Sequence, residues 1–202
     1  MENVVEEKIG VFLARFQPLH NAHLYVIETA LKECDKVVIM LGSSNKGGML
    51  RNPYDFRLRY NLLRASLPIE DLDRISIYEL PDWSQEDKTE DDRTWGYYLY
   101  YNVASRIKQK RFTLYYSDKP DILESWFSED VRQYIDCRYL DRSKVYEGLS
   151  STKIRAAMLR FNEDDQKYLE KCVPLAVYRR INELRGIWLD IQKNPKNDFT
   201  MK

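Results

Sequence analysis

What this sequence lacks narrows it first. It lacks net charge: Lys and Arg total 32 over 202 residues, and Asp and Glu total 32. Bulk attraction to a polyanion is therefore excluded as a basis for binding, although a local basic pocket is not. It lacks long apolar runs. Stretches such as Val37–Leu41 fall far short of the roughly 20 residues that span a bilayer. Met1–Lys8 offers neither the basic start nor the apolar centre of a secretion signal. Cysteine is sparse, at positions 34, 137 and 172. That odd number without metal-ligand spacing predicts reduced thiols in a cytoplasmic protein. There is no internal repeat and no low-complexity linker. Histidine is scarcest of all, with two in the chain, at positions 20 and 23.

What is present is a globular composition, 44% hydrophobic and 32% charged, which excludes a disordered chain and a membrane protein. The length suits one large domain. Apolar β-forming runs at 9–13, 36–41, 74–80 and 112–116 read as strands, and 138–140 reads as a last short one. Helical spacing marks 22–33, 54–67, 95–108 and 122–127, with helical pieces from 152 to about 191. Asn21 is the candidate cap of the first helix. Strands alternating with helices predict an α/β fold, a Rossmann-like doubly wound parallel sheet with a helical C-terminal segment from about 150. Residues 1–192 form the expected single domain and 193–202 an expected disordered tail. The charged stretch 85–93 reads as a solvated loop.

Ligands of such sheets sit at the carboxyl ends of the strands, so the loop after the first strand is the place to search. Both histidines fall there, three residues apart at the start of the first helix, with Arg15 just before them. A helix N-terminus offers unpaired N–H groups and partial positive charge. Imidazole and guanidinium donors at that terminus make a polyphosphate cradle. At the far end, Leu149-Ser150-Ser151-Thr152-Lys153-Ile154-Arg155 supplies capping hydroxyls at a helix start. Arg155 lies one turn further in, within reach of the same anion.

The run Arg15-Phe16-Gln17-Pro18-Leu19-His20-Asn21-Ala22-His23 resembles the HxGH signature of the nucleotidyltransferase superfamily. The run 149–155 resembles that superfamily's SSTxxR motif. The extended form with Arg-Phe-Gln-Pro is similar to archaeal-type nicotinamide-mononucleotide adenylyltransferases. Gly42-Ser43-Ser44, Asn52-Pro53-Tyr54 with Arg59, Leu80-Pro81-Asp82 followed by Trp95, and Tyr115–Pro120 resemble further segments of that family. The resemblance covers roughly residues 8 to 180. It implies transfer of AMP from ATP to a pyridine mononucleotide, releasing pyrophosphate, with Mg2+ carried by ATP. It assigns His20, His23 and Arg155 to the reacting phosphates. Phe12, Arg15, Phe16, Gln17, Ser117, Ser150, Ser151, Thr152 and Lys153 are assigned to ATP. Gly42, Ser43, Arg51, Asn52, Arg59, Asp82 and Trp95 are assigned to the acceptor. No carboxylate cluster has the spacing of a protein metal site.

Three positions depart from the family pattern. Ala22 stands at the glycine of HxGH, Ala14 at the glycine before Arg-Phe-Gln-Pro, and Asp118 near a further glycine. An alanine would be costly if the position required positive φ. Other readings stay open: nicotinate mononucleotide, phosphopantetheine or a CTP-dependent substrate as the acceptor system, or a non-catalytic nucleotide binder of the same fold. Nucleic-acid binding through Lys46, Arg51, Arg57, Arg59 and Arg64 is disfavoured by their spread and by the zero net charge. The sequence leaves a monomer and a homo-oligomer both open.

Overall fold

The computed structural model describes residues 7–82, 92–117 and 122–195. Five strands, β1 (Ile9–Ala14), β2 (Lys36–Gly42), β3 (Ile75–Leu80), β4 (Phe112–Tyr116) and β5 (Ile135–Tyr139), form one sheet in the order β3-β2-β1-β4-β5. Every pairing is parallel. The helices are α1 (Asn21–Glu33), α2 (Phe56–Arg64), α3 (Asp92–Ile107), α4 (Ile122–Trp126), α5 (Glu129–Arg132), α6 (Ser151–Arg160), α7 (Glu163–Cys172), α8 (Leu175–Tyr178) and α9 (Ile181–Lys193). The expected α/β fold, a Rossmann-like doubly wound sheet with a helical C-terminal segment, is the one observed. Among the described residues, no helix is long and apolar enough to cross a membrane.

Alternation along the strands builds two cores. Phe12, Val37, Ile39, Leu41 and Tyr115 pack with α1, α2 and the C-terminal helices. Val11, Val38, Met40, Leu114 and Tyr116 pack on the other face with α3 to α5. Where α3 meets α4, Gly96 leaves no room for a side chain: a Cβ there would overlap the Trp126 carbonyl. β1 is central, flanked by β2 on one side and β4 on the other. The strand order reverses there, which opens a crevice at the carboxyl edge.

Several boundaries differ from the sequence expectation. His20, in extended backbone, caps α1, and Asn21 is already helical. The second helix begins at Phe56, because the Asp55 carboxylate accepts the Leu58 N–H at 2.8 Å and caps it there. Tyr54 is thereby left outside, buried in the core. The last strand is 135–139 rather than 138–140. As an edge strand in which Asp136 and Arg138 alternate with Ile135, Cys137 and Tyr139, it shows too little apolar character to be read. The charged stretch 85–93 lies outside the described residues up to 91, and Asp92 and Arg93 open α3. Lys193 still belongs to α9, while 196–202 of the expected tail lie outside the described residues.

One buried side chain ties the edge loops together. Arg59 on α2 is 1% exposed, and burial lowers its pKa to about 10, leaving it charged at neutral pH. Its Nε donates to the Asp55 carbonyl at 3.2 Å, Nη1 to Arg15 and Gly42 carbonyls at 2.8 Å each, and Nη2 to the Ser43 carbonyl at 2.9 Å. The loops after β1 and β2 thus share one guanidinium. Replacing it strands several buried carbonyls, each costing roughly 1–3 kcal/mol. Arg59→Met is expected to lower unfolding free energy by about 3–5 kcal/mol in urea denaturation. Arg59→Lys is expected to recover less than half of that loss, because an ammonium lacks the planar fork.

Candidate functional site

The crevice at the carboxyl edge holds a cleft of about 240 Å3. The β1 exit supplies Phe12, Arg15, Phe16 and Gln17, and the start of α1 supplies His20 and His23. Arg51 comes from the loop after β2, and Ser117 from the end of β4. The start of α6 adds Ser150, Ser151, Thr152 and Arg155. Twelve residues from distant parts of the sequence expectation therefore meet in one place.

The β1 loop is held by side chains of other elements. The Gln17 carboxamide pairs twice with the Tyr54 backbone, at 2.9 Å each way. Arg155 Nη1 donates to the Gln17 carbonyl at 2.6 Å, and Ser151 Oγ donates to the Pro18 carbonyl at 3.0 Å. With the loop so fixed, the two imidazoles stack at 3.7 Å between centroids and 19° between planes. Phe16 packs edge-on to His23 at 4.9 Å. The His20 backbone N–H donates to His23 Nδ1 at 3.3 Å, which assigns the His23 proton to Nε2. His20 Nδ1 is buried without a hydrogen-bond partner.

Electrostatics complete the site. His20 and His23 are 1% and 7% exposed. Burial first, then the Arg142 charge, lowers the His20 pKa to about 3. Burial, then His20 and Arg142, holds His23 well below its usual value. Both imidazoles are thus neutral, so they serve the cleft as hydrogen-bonding groups and not as cations. Positive charge in the cleft comes from Arg15, Arg51, Arg142 and Arg155.

Arg142 was missed by sequence reasoning. It lies in the Asp141–Lys144 stretch, which carries mixed charge and no periodicity, and only the fold brings it to the histidines. Trp126 of the cleft wall was missed too, because a tryptophan at the end of a short helix reads as core. It stands edge-on to Trp95 at 6.3 Å.

The remaining expected site residues lie elsewhere. Lys153 is exposed on α6 and does not line the cleft. Arg59 was expected at the acceptor phosphate, but its donors are spent on carbonyls beneath the loops. Gly42 and Ser43 provide two of those carbonyls, and Ser43 holds a positive φ of 49°. Asn52 is buried outside the cleft lining. Asp82 is clamped: Asn45 bonds its N–H and its carbonyl at 2.9 Å each, and Lys46 pairs with its carboxylate at 3.3 Å. Trp95 packs on Tyr98 at 5.4 Å, whose hydroxyl donates to the Pro81 carbonyl at 2.8 Å. Ala14 and Ala22 both sit at ordinary negative φ, in β1 and in the first turn of α1. Neither strains the backbone as a required left-handed position would have. Asp118 lies outside the described residues.

Comparison with known proteins follows the same lines. A match to the cytidylyltransferase-like family spans residues 11–157. A nicotinamide-nucleotide adenylyltransferase of Pyrobaculum arsenaticum is 30% identical over 181 residues, covering 88% of this chain and 89% of the relative. One from Thermococcus sibiricus is 26% identical over 195 residues, 93% of each. Among solved structures, a bifunctional NMN adenylyltransferase/ADP ribose pyrophosphatase of Francisella tularensis, complexed with AMP and a Mn ion, superposes with a TM-score of 0.68 at 22% identity. The match covers 92% of this chain and 52% of that protein, so the chain spans about half its length.

The neutral imidazoles make stability depend on pH. Unfolded histidine binds its proton near pH 6.5, whereas folded His20 does so only near 3. Below 6.5 the unfolded state binds more protons, so the folded state's advantage is intact above that pH and is lost as pH falls toward 3. Between pH 6 and 4, wild-type unfolding free energy is expected to fall more steeply than that of His20→Gln/His23→Gln. The excess slope approaches about 1.4 kcal/mol per pH unit for each histidine. Parallel slopes in urea titrations at each pH would refute the neutral assignment.

Proposed function

The chain belongs to the cytidylyltransferase-like family of nucleotidyltransferases, and from that premise we propose that it transfers AMP from ATP to nicotinamide mononucleotide, forming NAD and pyrophosphate. The archaeal relatives carry that name across nearly the whole length compared. The observation that carries the reading at atomic level is the carboxyl-edge cleft, where two neutral stacked imidazoles share one space with four arginines and the hydroxyls that open α6.

In this reaction a phosphate oxygen of the acceptor attacks the α-phosphorus of ATP in line. The bond to the β-phosphate oxygen breaks, and the electron pair leaves with pyrophosphate. The attacking oxygen is already an anion, so no general base and no covalent intermediate are needed. The protein contributes alignment and charge stabilisation. His23 directs its Nε2 proton at an α- or β-phosphate oxygen, and His20 donates beside it. A neutral imidazole suits this task, because it donates a hydrogen bond without first being stripped of a solvated charge. Arg155, Arg142 and the amides and hydroxyls at 150–152 take the β- and γ-phosphates at a helix N-terminus. Arg15 is assigned to the ATP phosphates and Arg51 to the acceptor, whose attacking phosphate must approach opposite the leaving group.

The donor set also bears on the metal. Among the described residues, the polar lining of the cleft consists of arginines, imidazoles, hydroxyls and a carboxamide, with no carboxylate. Among the described residues, no group of three or more His, Cys, Asp or Glu could hold a metal ion. Such a lining suits a divalent ion that arrives on the phosphates, and Mg2+ is assigned to ATP, held by phosphate oxygens and water. Its chemistry there is to neutralise phosphate charge.

One observation favours keeping the acid form of the acceptor in view. Lys46 neutralises Asp82, the carboxylate that would otherwise repel a nicotinate ring. Pyrophosphate release from ATP is therefore to be measured with nicotinamide and nicotinate mononucleotides side by side, and with CTP in place of ATP. Release with ATP and the amide, together with NAD formation, is the expected result. ATP binding without release under any acceptor would instead make the chain a nucleotide binder. His23→Ala is expected to lower turnover at saturating ATP by at least about 10²-fold, the loss of one transition-state donor. Near-normal turnover in the folded variant would remove His23 from the mechanism.

A further inference from the structure

We propose that Trp188, on the last helix of the chain, is a positioning residue that sets the Arg155 guanidinium toward the triphosphate. The proposal rests on the reading that Arg155 binds that triphosphate. It goes beyond that reading by giving the C-terminal helix, which lies outside residues 11–157 of the family match, a part in the reaction.

The geometry is specific. Arg155 carries five N–H donors. Nη1 is committed to the Gln17 carbonyl, and Nη2 reaches Thr152 Oγ1 at 3.4 Å. Nε is buried without a hydrogen-bond partner. The guanidinium carbon lies 5.3 Å from the centre of the Trp188 ring. A ring against the guanidinium orients the cation without consuming an N–H, and it introduces no negative charge to compete with a phosphate. The edge donors therefore remain directed by the plane of the ring.

Trp188 itself is placed for its face. It is 7% exposed, and its indole N–H has no hydrogen-bond partner among the described residues. A buried indole N–H ordinarily finds one, so hydrogen bonding does not account for where this ring sits. Helix α9 is fixed independently against α6 and the core. The Tyr54 hydroxyl donates to the Leu184 carbonyl at 3.2 Å, and Arg185 Nε donates to the Met158 carbonyl at 2.8 Å. Arg185 also covers the Phe161 ring at 4.7 Å. Leu184 and Trp188 are one helical turn apart, so the anchoring face of α9 and the face carrying the indole are the same.

The test uses the full chain and the pyrophosphate assay, with ATP and nicotinamide mononucleotide varied in turn. Trp188→Met, which keeps apolar bulk but removes the ring, is expected to raise the KM for ATP about tenfold and to leave the KM for the mononucleotide within about twofold. Trp188→Phe is expected to stay within about threefold of wild type for both. In an Arg155→Lys background, Trp188→Met is expected to have no further effect on the KM for ATP, because the planar cation it orients is gone. An unchanged KM for ATP, an equal rise in both KM values, or a full effect in the lysine background would each overturn the proposal. If Trp188→Met does not fold, 5-fluorotryptophan decides. The substitution weakens the ring face, so it is expected to raise the KM for ATP in the wild-type chain and not in Trp188→Phe, and equal effects in both overturn it. If Arg155→Lys alone leaves turnover and the KM for ATP intact, it is the reading of Arg155 that fails, and Trp188 falls with it.

Discussion

The loop that leaves β1 carries the burden of this structure. It must turn at the open edge of the sheet, largely out of water, with main-chain carbonyls that need donors. Three of them, at Arg15, Gln17 and Pro18, receive donors from Arg59 on α2 and from Arg155 and Ser151 on α6. The Gln17 carboxamide adds a two-way bond to the Tyr54 backbone. None of these partners is near the loop in sequence. The loop has its shape only when α2 and α6 have docked, so the cleft cannot form before the fold does.

That dependence explains how polar residues are shared between holding and binding. Arg59 was expected to meet substrate, yet its side chain holds backbone. Gln17, Ser151 and Arg155 do both, each bonding main-chain groups with its side chain while lining the cleft. The histidines are placed by the same scaffold, stacked on each other with Phe16 edge-on to His23, and packed where burial removes their charge. Division of labour follows: the arginines bring charge, and the imidazoles bring direction. A charged histidine pair beside Arg142 would have repelled it, and stacking at 3.7 Å would have been costly.

Legibility in the sequence tracks how local each cause is. The alternation of β-formers with helical spacing was readable because it is written in consecutive residues, and the parallel doubly wound sheet followed. The HxGH-like and SSTxxR-like runs were readable because each is a short stretch with its own helix start. Arg142 and Trp126 were not, because nothing nearby in sequence marks them. Arg59 was misplaced for the same reason: its four carbonyl partners come from three separate segments, at Arg15, Gly42–Ser43 and Asp55. The alanines at 14 and 22 could not be judged until the backbone showed their φ to be ordinary.

A cleft built from loops of one half of the chain needs a rigid opposite wall, and here the C-terminal helices provide it. Helix α6 supplies the hydroxyls and Arg155, but α6 is held to α9, through Arg185 and the Trp188 ring. Tyr54 links that wall to the β1 loop, since its backbone binds Gln17 while its hydroxyl binds Leu184. One buried tyrosine therefore couples the last helix to the first loop. A closed mechanical circuit runs from α9 through Tyr54 and Gln17 to Arg155, and from Arg155 through Trp188 back to α9. In such a circuit the two phosphate-facing sides cannot drift apart independently, which is the condition an in-line transfer imposes on its binding site.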